Sequence, residues 1–219
     1  MKILIDEKMK QKYPNVRLGC IRYTAQVKET NAQLWDVIDH TVSPRLISEM
    51  ETINVTEFKN IATSRAAYKA FGKDPGRYRV SSEALYRRIK QGKGLYKINT
   101  VVDTNNLISL ETGFSVGSYD IENIDDTITL KTGLDGESYK GIGKESVNIE
   151  NLPVLVDKDG AFGSPTSDST RAMITENSKE ILTVIYDFST DYDLEGILKK
   201  SADYFAKFTS ATNIETFIV

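Results

Sequence analysis

The sequence predicts an α+β fold, and three observations carry that prediction. Capped helical periodicity dominates the middle of the chain, from about Asn31 to Thr112. Beyond Gly113 the apolar period falls to two, in short runs separated by Gly- and Asp-rich turns. Helices and strands are therefore segregated rather than alternating as βαβ units. No linker, repeat or low-complexity tract interrupts the 219 residues, so residues 1–219 read as a single domain with an antiparallel sheet and packed helices.

The elements follow in order. Lys2 to Ile5 reads as a short strand, and Asp6 can cap a helix that Tyr13-Pro14 ends. Val16 to Val27 alternates as a strand. A helix is expected from about Asn31, and Ser43-Pro44 either ends it or starts another. Asn54 or Thr56 can cap EFKNIATSRAAYKAF, which Gly72 stops before the turn Asp74-Pro75-Gly76. Ser81 or Ser82 is the expected cap of EALYRRIKQG, and Ile98 to Thr112 forms a third helix closed by Gly113. Thr127 to Lys131 alternates, LDGESYKGIG reads as a turn and short strand, and Val154 to Phe162 carries a hairpin signature around Lys158-Asp159-Gly160. Ala172–Thr175 and Ile181–Phe188 are a candidate antiparallel pair. Asp193 caps an amphipathic helix reaching about Phe208, and Ile214–Val219 is a terminal strand.

Composition narrows the function. A net charge of −3 argues against a dedicated polyanion binder, although a local basic patch remains open. One cysteine, Cys20, allows no intramolecular disulfide, and the first residues carry no apolar run long enough for a signal peptide. No run approaches the roughly 18 apolar residues of a membrane span, so a cytoplasmic location away from membranes is expected. The single histidine, His40, excludes multi-histidine metal sites and reads as a helix-surface or capping residue. Nothing calls for a metal or an organic cofactor.

Three polar runs carry what chemistry the sequence offers. Arg65, Lys69, Arg77, Arg79, Arg87, Arg88, Lys90 and Lys93 crowd one stretch with only Asp74 and Glu83 as acids. Such a cluster can meet nucleic-acid phosphates, or form a solvated face with some arginines paired to structural carboxylates. In INTVVDTNNLISLE, Asn99, Asp103 and Asn106 fall at i, i+4 and i+7 on one side of a helix. Amides there can bind a ligand or orient water; a buried network fixing loops to the helix is the alternative. GSPTSDSTR, residues 163–171, concentrates hydroxyls with Asp168 and Arg171, a composition that can cradle a carboxylate or phosphate, or simply form an Asx-type loop. It does not match a P-loop, and no run contains a nucleophile paired with a base.

The runs AYKAFGKDPGRYRVSSEALYRRI, INTVVDTNNLISLETGFSVGSYDIENI and FGSPTSDSTRAMIT together resemble the B3/B4 domain of the bacterial phenylalanyl-tRNA synthetase β subunit, and more closely its free-standing relatives. The resemblance is strongest over residues 64–188. It implies an editing fold, since that domain hydrolyses tyrosine mischarged onto the phenylalanine tRNA. It also implies a pocket among the Asn helix, the segment after Gly113 and the strand around Phe162–Arg171. Asn105 and Asn106 align with the family's pocket Thr-Asn pair. Two departures stand out: the family's pocket histidine falls at Gly117 and its glutamate near Ser164.

The resemblance thus implies a pocket of Asn99, Asn105, Asn106, Gly117, Ser164, Asp168 and Arg171, with Arg65, Lys69, Arg77, Arg87 and Arg88 facing RNA. The partners would be a tRNA or aminoacyl-tRNA, or an amino-acid-like small molecule. Two functions remain open: trans hydrolysis of a mischarged aminoacyl-tRNA or related ester, and non-catalytic binding of an amino acid, small metabolite or RNA. A tRNA ligase is excluded, because 219 residues hold no aminoacylation domain.

Overall fold

The structure is a computed structural model that describes every residue except Thr190. From the N-terminus the chain forms β1 (Lys2–Ile5), α1 (Glu7–Lys12), β2 (Arg17–Thr24), α2 (Ala32–Val37), α3 (Ser43–Glu49), α4 (Lys59–Phe71), α5 (Ser81–Lys90) and α6 (Thr100–Thr112). It continues through β3 (Ser115–Asp120), β4 (Thr127–Thr132), β5 (Ser138–Gly141), β6 (Lys144–Asn148), β7 (Pro153–Asp157), β8 (Gly160–Gly163), β9 (Glu180–Asp187), α7 (Leu194–Thr209) and β10 (Thr212–Ile218).

The strands make two four-stranded sheets, ordered β1-β4-β7-β8 and β10-β2-β9-β3, and a separate hairpin, β5-β6. Among the named strands of the described residues, the pairings are antiparallel except β1 with β4. The period-two pattern decides which side chains meet. Leu18, Cys20, Leu182, Val184 and Tyr186 turn from the second sheet toward Ile128, Leu130, Leu155 and Phe162 of the first, and one core fills the space between. The other face of the second sheet sets Ile21, Tyr23, Ile181 and Ile185 against Val101 and Ile108 of α6 and Leu198 and Phe205 of α7. A third cluster joins α2, α3, α5 and α6 through Trp35, Leu46, Tyr86 and Leu107.

Local signals hold where a side chain acts on its own backbone. Asp6 accepts from the N–H groups of Lys8 and Met9, and Asp193 from that of Gly196. Gly72 and Gly113 end their helices in the left-handed conformation at φ 94° and 75°. Ser43-Pro44 starts a helix, the second of its two readings: α2 passes through a π-helical turn, Ile38–Val42, into α3, which begins at Ser43 with Pro44 in its first turn. Three expectations are corrected. Neither Asn54 nor Thr56 caps α4; Phe58 does, without a side-chain bond. Neither Ser81 nor Ser82 caps α5; Val80 does, without a side-chain bond. Ala172–Thr175 is not a strand, because β2 and β3 already occupy both edges of β9. The strand β3 was not legible because Gly117 and Ser118 break its apolar alternation. No helix among the described residues is long and apolar enough to cross a membrane.

Candidate functional site

The loop after β8 builds the most concentrated polar site. Asp168 Oδ1 accepts from the Tyr119 hydroxyl at 2.9 Å and the Ser164 N–H at 3.0 Å. The Tyr119 proton is committed to Asp168, so the Tyr186 hydroxyl, 2.7 Å away, donates to Tyr119 in turn. Tyr139 donates to Ser167 O at 2.5 Å with its hydroxyl 3.1 Å from Ser164 Oγ, and Tyr68 bonds Thr166 at 2.9 Å. Four phenols from four elements therefore surround this loop. Burial pushes the Asp168 carboxyl up to about 6, against the pull of the Ser164 N–H and the Tyr119 hydroxyl. Burial, followed by the neighbouring Asp168 charge, also raises Tyr119 far above the ordinary phenol range.

Asp168 Oδ2 stays available. It takes no hydrogen bond among the described residues, and Asp168 as a whole residue is half-buried. It lies 3.3 Å from where a Cβ on Gly117 would sit. Gly117 itself opens no chamber: a Cβ there, like one on Gly163, would collide with the Tyr119 hydroxyl, which fills the gap between the two glycines. Ser164 Oγ is saturated, accepting from the N–H groups of Thr166 and Ser167 while donating to Ser167 O. It anchors the loop and holds no free lone pair for a nucleophile's work.

The Asn helix is turned elsewhere. Ser118 and Tyr119 are successive strand residues and point to opposite faces of their sheet. Ser118 Oγ donates to Asn105 Oδ1 at 2.9 Å and continues to Thr183 and Tyr23, whereas Tyr119 reaches Asp168. The sheet thus stands between Asn105 and Asp168. Asn99 is the N-cap of α6, accepting from Val101 and Val102, and Asp103 accepts from Trp35 Nε1 and the Ile98 N–H. Asn106 is half-buried, and its amide makes no hydrogen bond among the described residues. Arg171 grips the buried Asp157 with two guanidinium nitrogens at 3.0 and 2.8 Å, and also bonds the carbonyls of Asn123 and Gly160. Of the sequence-derived pocket residues, Gly117, Ser164 and Asp168 come together; the three asparagines and Arg171 do not join them.

The arginine cluster divides in the same way. Glu83 is fully buried and receives Arg65 at 2.8 Å and Arg87 at 2.8 Å. Arg88 bonds the Gly94 carbonyl and lies over the Tyr96 ring. Lys69, Arg77 and Arg79 are exposed and make no ion pair among the described residues. Arg77 and Arg79 line an open groove of about 450 Å³ with Lys144, Ser146 and Asn148 from the β5-β6 hairpin and with Thr166, two residues before Asp168. Three cations face this groove and no carboxylate does. Sequence reasoning missed Tyr119, Tyr186, Tyr139, Tyr68 and Lys144, since only the tertiary pairing brings them together.

These features define a two-sheet α+β module with an acidic, phenol-walled loop beside a cationic groove. The chain belongs to the B3/4 domain family, whose model matches residues 63–216. It is similar in fold to the crystal structure of an N-terminal fragment of the phenylalanyl-tRNA synthetase β-subunit from Pyrococcus horikoshii, with a TM-score of 0.50 at 13% identity. The match covers 100% of this chain and 54% of that one, so this chain spans about half the length of that fragment. At that identity the likeness speaks to fold alone. No curated protein matches the chain.

Proposed function

We propose that this chain receives the aminoacyl end of a tRNA and hydrolyses its ester in trans, with Asp168 as the base. The observation that carries this reading is the Asp168 carboxyl: burial raises its pKa to about 6, one oxygen is held by Tyr119 and Ser164, and the other takes no hydrogen bond among the described residues. A base poised near neutrality is ionised at pH 7 and still accepts a proton usefully. Asp168 takes a proton from a water whose oxygen attacks the ester carbon. The new C–O bond forms, the bond to the ribose oxygen breaks, and the proton passes to that leaving oxygen. The groove of Arg77, Arg79 and Lys144 supports the RNA side of the reading, because unpaired cations beside the loop suit backbone phosphates. The synthetase relationship of the fold supplies the tRNA context.

A second reading, binding without turnover, is favoured by the resemblance, which sets the family's pocket histidine at Gly117 and its glutamate near Ser164. Deacylation of a panel of mischarged tRNAs, beginning with tyrosyl-tRNA(Phe), separates the two. Turnover by the wild type is expected, with a loss on the order of 10²–10⁴-fold in Asp168→Asn. Retained RNA binding with no turnover on any member would leave the binding reading standing.

A further inference from the structure

The face of α5 that borders the cationic groove runs on beyond it. Ala84 lines the groove, and Arg88 stands one turn further along the same face. Arg87 beside it is committed to Glu83, whereas Arg88 pairs with no carboxylate among the described residues. Gly92 and Gly94, both left-handed at φ 65° and 59°, turn the chain back at the end of α5, and Arg88 Nε donates to the Gly94 carbonyl at 3.0 Å. Held there, the guanidinium lies 4.2 Å from the centre of the Tyr96 ring. Leu95 packs against the helical core and pins the segment at its other end. Tyr96 is nonetheless 68% exposed, more than any other large apolar side chain among the described residues. With Arg88 over one face, the ring presents its other face to water. Lys93, exposed in the same loop, pairs with no carboxylate among the described residues either.

We infer that the exposed face of α5 is a track for single-stranded RNA, with phosphates on Arg77, Arg79, Lys144 and Arg88 and one base stacked on Tyr96. The inference rests on the RNA side of the proposed function and not on turnover at Asp168. Charge selects the partner, because the groove is lined by cations and no carboxylate, which suits a polyanion. Stacking selects the strand. In a duplex each base is covered by its neighbours, so Tyr96 has only an unpaired base to meet. The 10 residues of α5 span about 15 Å, which lets one short strand touch Tyr96 and the groove together.

The test is fluorescence anisotropy with three labelled probes: a single-stranded oligoadenylate RNA, an abasic strand of the same length and a blunt RNA duplex. None carries an ester, so the readout is independent of hydrolysis. The oligoadenylate is expected to bind about tenfold tighter than the abasic strand and the duplex, and Tyr96→Ala to abolish its advantage over the abasic strand. Tyr96→Trp should keep that advantage. Arg88→Gln should weaken both single strands and lower the slope of log affinity against log salt by about 0.7. Tyr96 is exposed and makes no hydrogen bond among the described residues, so neither Tyr96 variant should move the Tm. Equal binding of the oligoadenylate and the abasic strand by the wild type, or unchanged oligoadenylate binding in Tyr96→Ala, would overturn the inference. If Arg77→Ala still weakened binding in that case, the groove would keep its RNA role without the platform. Phosphatidylserine vesicles are the competing partner: if Tyr96→Ala lost these and not the oligoadenylate, the ring would belong to a lipid surface and the inference would fail. Binding of no probe at all would remove the RNA side of the proposed function with it.

Discussion

Gly117 and Tyr119 decide the shape of the Asp168 corner between them. Both lie on the same face of β3, and the Tyr119 hydroxyl occupies the volume that a side chain at Gly117 would need. Gly117→Ala is expected to destabilise the protein by about 1–3 kcal/mol, the usual cost of overpacking, measured by denaturant unfolding. From the sequence, Gly117 read as the site of a missing histidine. The identity of that residue was legible, but the phenol filling its place was not, because Tyr119 is only two positions away and nothing local reveals which way it leans. Asp168 carries a pH signature with a definite sign. Its folded pKa lies above that of the unfolded chain, so between about pH 4 and 6 the folded state holds a proton that the unfolded state has released. Its contribution to stability therefore falls as pH rises through that window, while deacylation should rise over the upper part of the same window with an apparent pKa near 6. Asp168→Asn should flatten both profiles, followed by Tm against pH and by initial rates.

At the scale of elements, α5 shows why a run of arginines is a poor guide to a surface. Its inward residue Glu83 is fully buried and is reached by Arg65 from α4 and by Arg87 one turn along. Glu83→Ala leaves Arg65 and Arg87, 23% and 39% exposed, able to turn to water, so it should cost about 1–3 kcal/mol, read as a lowered denaturation midpoint. Arg65→Ala should also destabilise, with RNA affinity little changed. Caps and stops such as Asp6, Gly72, Gly113 and Asp193 were legible because each acts within a few residues of itself. The strand partners of β9 and the burial of Glu83 were not, since both depend on segments far away in sequence.

Across the whole molecule, both ends of the chain are stitched into the sheets. β1 pairs with β4 in one sheet, and β10 pairs with β2 in the other. Two sheets that share a core and chain ends are expected to unfold in one cooperative transition, checked by the coincidence of near- and far-ultraviolet dichroism melts. The net charge of −3 gave little hint of a cationic groove, since its cations come from two separate regions, Arg77 and Arg79 before α5 and Lys144 on the hairpin. If the groove holds RNA, alanine at each of these three positions should lower the slope of log affinity against log salt by about 0.7–1, seen by filter binding across a salt series.

The β5-β6 hairpin lies outside both sheets, and its inward positions Tyr139 and Val147 dock it, as does Asn148 through the buried Lys73, while Lys140, Lys144 and Ser146 face outward. Those outward positions can be rewritten without disturbing a core contact. One wall of the groove is thereby separable from the stability of the fold: its charge and polarity can be changed on the hairpin while Arg77 and Arg79 hold the opposite wall fixed.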